Sequence, residues 1–164
     1  MNIKSSRFLS FLAFFTTVLM LSYAYYEQYV NGLNPCPLCL VQRFIILIIG
    51  VLFLITFIFN PQKRMKTISG IVITLISLTG AFVSAWHVRM QHLPPDEIPD
   101  CGPGLEYMVQ NFPIGTIFKN LFTGSGQCAE IDWQFLGLSM PAWTFVCFVG
   151  FLIYTIIWMR IKND

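Results

Sequence analysis

Four long apolar runs decide what this chain can fold into. A helix needs about 20 mostly apolar residues to cross the hydrocarbon core of a bilayer. Runs of about this length cover residues 8–26, 40–59, 68–86 and 142–159. Arg43, near the start of the second run, is the one charged residue inside them. The sequence therefore predicts an all-α fold, a polytopic membrane four-helix bundle made of a single membrane domain that spans the whole chain.

Composition argues against a soluble domain. Charged residues make up only 11% of the 164 residues, whereas a soluble globular domain carries about 25%. Ten Lys and Arg stand against eight Asp and Glu, a balance too even to predict nucleic acid as a partner, so membrane lipid is the expected surrounding. The first run could be a cleaved signal peptide, but the apolar part of such a peptide is typically about 7–15 residues. An uncleaved span is the better interpretation.

The positions of Lys and Arg predict which side each loop faces. Short cytoplasmic segments beside membrane spans carry an excess of these residues. Seven of the ten cations fall before the first run, between the second and third, or after the fourth. We therefore expect both termini to be cytoplasmic, and the loops at about residues 27–39 and 87–141 to face the opposite side.

Four of the five cysteines lie in these two outer loops. Cys36 and Cys39 end the first loop, Cys101 and Cys128 lie in the second, and Cys147 is inside the fourth run. Disulfides form and persist in oxidising compartments, so this distribution indicates that the outer loops face one. Cys147 has no partner in the sequence and is interpreted as a small apolar filler.

The Cys36-X-X-Cys39 motif at the start of the second run is the sharpest candidate for chemistry. A helix N-terminus and a nearby cation both stabilise a thiolate, and Arg43 follows Cys39 at i+4 on the same helix face. Redox activity is the favoured interpretation, and a passive disulfide or half of a zinc site are the alternatives. Zinc usually needs a second close ligand pair. Cys101 and Cys128 are far apart in the chain, so no metal ligand is predicted.

Arg43 has two interpretations of its own. It could anchor the helix end by extending its charged head to the interface, or it could stabilise a thiolate or hydrogen-bond an electron acceptor dissolved in the membrane. A cation close to hydrocarbon is costly, and the i+4 relation to Cys39 favours the second interpretation. His87, at the end of the third run, is either a hydrogen-bonding surface residue or a second contact to that acceptor. The neighbouring Gln42 carries no signal.

The second outer loop has two candidate features. Cys101 and Cys128 bracket a segment rich in Pro and Gly, and a disulfide between them could be a structural staple or an accessible bond for thiol exchange. Between them, apolar residues recur at helical spacing. This predicts a short helix lying in the membrane interface, with packing against other loop residues as the alternative. The residues are Ile114, Ile117, Phe118, Leu121 and Phe122.

Together these features resemble the disulfide bond formation protein B (DsbB) family. The resemblance rests on four spans, on Cys36-X-X-Cys39 followed by Arg43, and on a second loop that holds Cys101 and Cys128. It covers nearly the whole chain. It extends to GQCAE at 126–130, Trp133, FLGL at 135–138 and MPAW at 140–143.

The resemblance implies an oxidoreductase of the bacterial inner membrane with periplasmic loops. It would pass electrons from a periplasmic thioredoxin-like dithiol oxidase of the DsbA type to membrane quinone, either ubiquinone or menaquinone. Cys101 would form a mixed disulfide with that partner, Cys128 would attack Cys36, and Cys39 would face the quinone. The catalytic residues implied are thus Cys36, Cys39, Cys101 and Cys128, and the quinone-binding residues are Arg43 and His87.

Two alternatives stay open at this point. The chain could be a paralogue dedicated to a specialised DsbA-like partner, which nothing in the sequence separates from the general oxidase. It could also be a non-catalytic membrane scaffold whose disulfides staple its loops. Pro37 and Leu38 between the cysteines, and Gln42 where some members of the family carry an acid, depart from the family pattern and could alter redox poise without changing the reaction.

Overall fold

Four long α-helices follow one another in the computed structural model, which describes residues 6–94, 97, 113, 115 and 126–161. They are α1 (Ser6–Tyr29), α2 (Pro37–Phe59), α3 (Lys63–Met90) and α4 (Met140–Arg160). Each is long and apolar enough to cross a membrane, and each contains one of the four apolar runs. The predicted all-α membrane bundle is confirmed.

Local sequence explains where α2 begins and ends. Cys36 caps the helix, because its backbone is extended and its sulfur accepts a hydrogen bond from the backbone N–H of Cys39. Pro37 follows in the first turn, where a missing N–H leaves no helical carbonyl unpaired. At the other end Asn60 adopts the left-handed conformation, with φ of 40°, that commonly terminates helices. Pro61 comes next, and α3 turns back along α2.

The helices pack in the order of the chain, α1 on α2, α2 on α3 and α3 on α4. Glycines allow the closest approaches. A Cβ atom at Gly50 of α2 would run into Thr17 of α1, and one at Gly80 of α3 would run into the buried ring of Phe148 on α4. Small residues at such contacts are typical of membrane bundles. The hydrophobic effect does not drive helices together within lipid, so close van der Waals packing has to do so.

The outward faces of the four helices are apolar. A soluble protein would place charged and polar side chains at these positions. Here large apolar side chains are exposed on every helix, so the surface is suited to contact with lipid. Examples are Phe15, Phe44, Leu75, Phe82 and Ile153.

Helices α1 and α4 are tied together at the end of the bundle where α1 begins and α4 ends, called the far end below. The indole Nε1 of Trp158 donates to the carbonyl oxygen of Ser6 at 3.0 Å. The hydroxyl of Tyr154 donates to the carbonyl oxygen of Leu9 at 2.7 Å. Toward the other end, where α2 begins, a groove opens between α1 and α4. We call this other end the cysteine end.

A short β-hairpin leads into α4. Its strands β1 (Gln134–Phe135) and β2 (Leu138–Ser139) are antiparallel, and the two residues between them, Leu136 and Gly137, have φ of 52° and 78°. Two-residue turns with positive φ at both positions match the twist of paired strands. The sequence predicts no strand here, because two-residue strands are too short to leave an alternating apolar pattern.

Two predicted features of the second outer loop lie outside the described residues. One is Cys101. The other is the short interfacial helix, whose five apolar positions all fall within residues 114–122 and outside the described part of the chain. Both stay predictions.

The contact between Gly80 and Phe148 makes a stability prediction. Replacing Gly80 with Ala places a methyl group against a fully buried ring, and overpacking of this kind costs about 1–3 kcal/mol. We expect Gly80→Ala to lower the midpoint of thermal unfolding in detergent. The matched control is Gly150→Ala on α4, where an added Cβ meets nothing within 4 Å and the exchange favours the helix by about 1 kcal/mol. Equal midpoints for the two variants would contradict the packing described here.

Candidate functional site

The Cys-X-X-Cys motif forms the first turn of α2. The thiol of Cys36 lies 3.1 Å from the sulfur of Cys39, close enough for the two to exchange between dithiol and disulfide with little backbone movement. Cys36 is buried and Cys39 is half-buried. The free N–H groups of the first helical turn point toward this pair and favour negative charge on sulfur.

Cys128 joins this pair from the second loop. It lies in a 3-10 helical turn, Gly126–Cys128, and is fully buried. Its sulfur, the sulfur of Cys36 and a ring nitrogen of His87 all lie within 4.8 Å of one another. The structure thus brings cysteines of the two loops together, although they are far apart in the sequence. An attack of Cys128 on Cys36 would need only a small approach of the two sulfur atoms.

The surroundings of Cys36 set its protonation. Hydrogen bonding with Cys128, then with Cys39, and burial together raise the pKa of the Cys36 thiol above its ordinary value. A thiol that holds its proton is a poor nucleophile. Cys36 is therefore suited to receive an attack as part of a disulfide. Cys39, at the helix N-terminus, is the better leaving group.

Arg43 reaches from α2 to α1. Its guanidinium donates to the carbonyl oxygen of Ala24 at 2.9 Å and to the side-chain oxygen of Gln28. It also lies over the ring of Tyr25, with 5.2 Å from Cζ to the ring centroid. These contacts fix the charged group within the protein, beside Cys39 in a shared cavity. The helix-face relation between Arg43 and Cys39 is the one that the i+4 spacing predicted.

His87 lies on the Cys36 side of the cluster. It is only 2% exposed, its Nε2 is 3.6 Å from the sulfur of Cys36, and its Nδ1 is 3.2 Å from Nε2 of Gln42. The sequence predicts no role for Gln42, yet its amide contacts this imidazole, which also has a hydrogen bond with the backbone of Cys128. A signal was present, since Gln42 is a polar residue in an apolar run, three positions after Cys39.

An apolar cavity of about 160 Å³ opens beside Cys39. Arg43, Gln42 and Tyr23 are the long polar side chains on its wall, and the rest is almost entirely aliphatic and aromatic. Such a lining, with few polar groups at fixed positions, is typical of sites for small organic cofactors. The other lining residues are Met20, Leu21, Ala24, Ile46, Trp133, Met140, Trp143, Thr144 and Cys147.

The cavity has a lipid-side continuation. A groove of about 270 Å³ runs between α1 and α4, and Met20 and Cys147 line both it and the cavity. Its wall is formed by residues such as Leu12, Ala13 and Phe151. An apolar molecule could therefore extend from the side of Cys39 along the groove without leaving apolar surroundings. Cys147, interpreted from the sequence as a filler, lies where the two spaces meet.

Aromatic rings of the hairpin and of the residues on either side of it lie beside the cavity at the cysteine end. Trp133 packs edge-on against Tyr23 of α1, with ring centroids 6.2 Å apart, and stacks on Phe135 at 6.2 Å. Phe135 in turn lies 6.1 Å from the ring of Trp143, whose Nε1 donates to the Phe135 carbonyl oxygen at 3.0 Å. Through Trp133 and Trp143, these contacting rings form part of the cavity wall.

Comparison with known proteins gives the same family over nearly the whole chain. A family model described as Disulfide bond formation protein DsbB matches residues 6–158. A relative from Methylococcus capsulatus, named Disulfide bond formation protein B, is 44% identical over 150 residues, which cover 92% of each chain.

Two further relatives carry the same name. One from Nitrosococcus oceani is 45% identical over 148 residues, covering 88% of this chain and 86% of the relative. One from Saccharophagus degradans is 44% identical over 162 residues, covering 99% and 97%. With four membrane helices and a Cys-X-X-Cys pair at the start of the second, this chain belongs to the disulfide bond formation protein B family.

Proposed function

We propose that this chain is an inner-membrane oxidoreductase that reoxidises a periplasmic thioredoxin-like dithiol oxidase of the DsbA type. Electrons pass through the pair Cys101 and Cys128, then through the pair Cys36 and Cys39, to membrane quinone. The observation that carries the proposal is the position of the Cys-X-X-Cys pair. Cys36 faces Cys128, and Cys39 lines the apolar cavity that also holds Arg43.

This arrangement supports a thiol–disulfide exchange between the cysteines of the two loops. The Cys128 thiolate attacks the Cys36 sulfur of a Cys36–Cys39 disulfide, so that a Cys36–Cys128 bond forms and Cys39 leaves as a thiolate. The helix N-terminus and the nearby Arg43 stabilise the departing charge. As the resemblance to the family implies, Cys101 forms the mixed disulfide with the soluble partner. Over the whole reaction the partner dithiol loses two electrons and two protons.

The residues around the cavity fit a quinone. The chemistry that a bound quinone supplies is the acceptance of two electrons and two protons. The Arg43 guanidinium is held by α1 and offers a charged donor for a carbonyl oxygen. The apolar wall accommodates a ring, and the groove between α1 and α4 accommodates an apolar tail. In this proposal Cys39 is the electron donor, and Trp133 and Trp143 form part of the apolar wall beside it.

Redox potentials favour such an acceptor. A DsbA-type oxidase has a potential of about −120 mV, and glutathione pools near −200 mV would send electrons back toward it. Since about 30 mV corresponds to 1.4 kcal/mol for two electrons, glutathione could not drive its reoxidation. A lipid-soluble oxidant reached from within the membrane removes this obstacle.

The proposed orientation places the cysteine end on the periplasmic side. Both termini are then cytoplasmic, and the seven cations outside the spans and outer loops lie on the cytoplasmic side, as the distribution of Lys and Arg requires. The loops that carry Cys36 and Cys128 face the oxidising compartment. A single membrane domain of four spans is sufficient for the whole reaction.

The first prediction separates the two cysteine pairs. Purified wild type should reduce quinone with either a reduced thioredoxin-like protein or a small dithiol such as dithiothreitol, followed by quinone absorbance under anaerobic conditions. Cys101→Ser should lose the reaction with the protein substrate and keep the reaction with dithiothreitol, because a small dithiol can reduce the Cys36–Cys39 disulfide directly. Cys39→Ser should lose both and fall to the rate without enzyme.

Two results would contradict this assignment. Quinone reduction by Cys39→Ser at the wild-type rate would remove Cys39 as the electron donor. Disulfides that resist both dithiols, in a correctly folded wild type, would favour the non-catalytic scaffold instead. Trapping the mixed disulfide in a Cys128→Ser variant and identifying the captured protein distinguishes a general partner from a dedicated one.

The second prediction concerns Arg43. Loss of a hydrogen bond to a charged group costs about 1.5–3 kcal/mol, so Arg43→Ala should lower kcat/KM for quinone about ten- to a hundredfold, mainly through KM. Reduction of the cysteines by dithiothreitol should be much less affected. The matched control is Arg89→Ala, an exposed arginine at the same end that lies over the ring of Trp86. Equal kcat/KM values for Arg43→Ala and Arg89→Ala would exclude Arg43 from the site.

A further inference from the structure

Two cysteines and a histidine converge at the cysteine end in a way that also suits a metal ion. We propose that Cys36, Cys128 and His87, in the reduced protein, form a site for a thiophilic divalent cation of the Zn²⁺ class. The three donor atoms lie within 4.8 Å of one another. All three residues are more than 90% buried, at 6%, 0% and 2% exposure respectively.

The geometry is close to that of a zinc site. Bond lengths of about 2.3 Å to sulfur and about 2.0 Å to nitrogen put neighbouring donors about 3.5–3.8 Å apart around tetrahedral zinc. The observed triangle would have to contract by about 1.3 Å at most. Cys128 lies in a short 3-10 turn, so it can move more easily than a residue inside a long helix. Three protein donors would leave the fourth position of a tetrahedral site to a water molecule.

Charge also favours binding. Two thiolates and one neutral imidazole bring the charge of a divalent cation to zero, which limits the penalty of placing it in a buried position. Each thiol that coordinates releases a proton. One polar partner of the imidazole is Gln42, whose amide lies 3.2 Å from Nδ1 of His87. When Nε2 binds a metal, Nδ1 carries the proton and can donate to the amide oxygen of Gln42, the outer contact that metal-bound histidines require.

An acidic cavity gives a cation access to these donors. It measures about 60 Å³, and Cys36, Cys39 and His87 form part of its wall. The charged side chains around it are Glu27, Glu130, Asp132 and Arg43. Three carboxylates against one guanidinium make the local potential negative, which raises the local concentration of cations. The cavity is wide enough for an ion with one or two waters, since a water takes up about 30 Å³.

This site exists only when the cysteines are reduced. A disulfide at Cys36, whether to Cys39 or to Cys128, removes the thiolate that the metal needs. Conversely, a bound cation holds the Cys36 sulfur and prevents it from forming either disulfide. Metal binding itself does not depend on the proposed function. Its consequence does, because in the proposed reaction the cation would trap the enzyme in its reduced form.

The binding test uses the full chain in detergent, reduced with dithiothreitol and freed of it under anaerobic conditions. Zn²⁺ is added in competition with a chromogenic chelator. We expect one ion per chain in the reduced wild type, one in Cys101→Ser, and none in the oxidised wild type. Release of protons on binding, followed by a pH indicator in weak buffer, reports thiolate coordination independently of any activity.

Variants locate the ion. His87→Ala should weaken Zn²⁺ binding by more than the about 10–100-fold that loss of an outer contact causes, and Gln42→Ala should fall within that range. The matched control is His92→Ala, the other histidine of the chain, which is exposed and contacts the Val88 carbonyl oxygen at 2.8 Å. It should bind Zn²⁺ like wild type.

Several outcomes would overturn the site. They are equal affinity in His87→Ala and His92→Ala, loss of binding in Cys101→Ser, equal binding to oxidised and reduced wild type, or no binding at all. The comparison of redox states needs no substitution, so a variant that fails to fold does not decide the question. Metal-free wild type that fails to reduce quinone would refute the proposed function while leaving Zn²⁺ binding intact, so the two failures are distinguishable.

Discussion

The N-terminus of α2 is the feature on which the rest of the site depends. A membrane-spanning helix satisfies its backbone hydrogen bonds internally, except in its first and last turns, where free N–H and C=O groups remain. The first turn of α2 places such groups at the edge of the apolar core and caps them with the Cys36 sulfur. A thiolate of Cys39, within that first turn, would therefore be stabilised where water and hydrocarbon meet. Chemistry that links an aqueous dithiol to a lipid-soluble acceptor needs that position.

Helices α1 and α4 are hydrogen-bonded to each other at one end of the bundle, and the space left between them toward the other end opens beside the first turn of α2. Trp158 and Tyr154 bind backbone carbonyls of α1 at the far end. At the cysteine end Arg43 holds α1 against α2 instead, so the space between α1 and α4 stays open there as the cavity and the groove. Cys36 and Cys39 are three residues apart, yet Cys36 lies close to a buried cysteine of the loop, while Cys39 lines both the acidic cavity and the apolar cavity that continues into the groove.

The membrane spans and the relation of Arg43 to Cys39 could be predicted from the sequence. Contacts between residues that are distant in the chain could not. The spans follow from apolar runs, and the relation of Arg43 to Cys39 follows from helical periodicity, since both are local properties. The approach of His87 to Cys36 depends on how α3 is rotated against α2, which local spacing does not encode. The turn at Leu136 and Gly137 is not predicted either, because its strands are too short to leave an alternating pattern and Leu-Gly is not one of the pairs, such as Asn-Gly or Asp-Gly, that mark such turns.

Gln42 shows how a neutral residue can matter at such a site. Its amide has both a donor and an acceptor, so it can contact the His87 ring whichever nitrogen carries the proton. With Nε2 protonated, the imidazole can donate toward the Cys36 sulfur 3.6 Å away while the amide of Gln42 donates to Nδ1. A carboxylate at this position could only accept, and it would add charge that favours the imidazolium. The glutamine is therefore compatible with either neutral tautomer of His87.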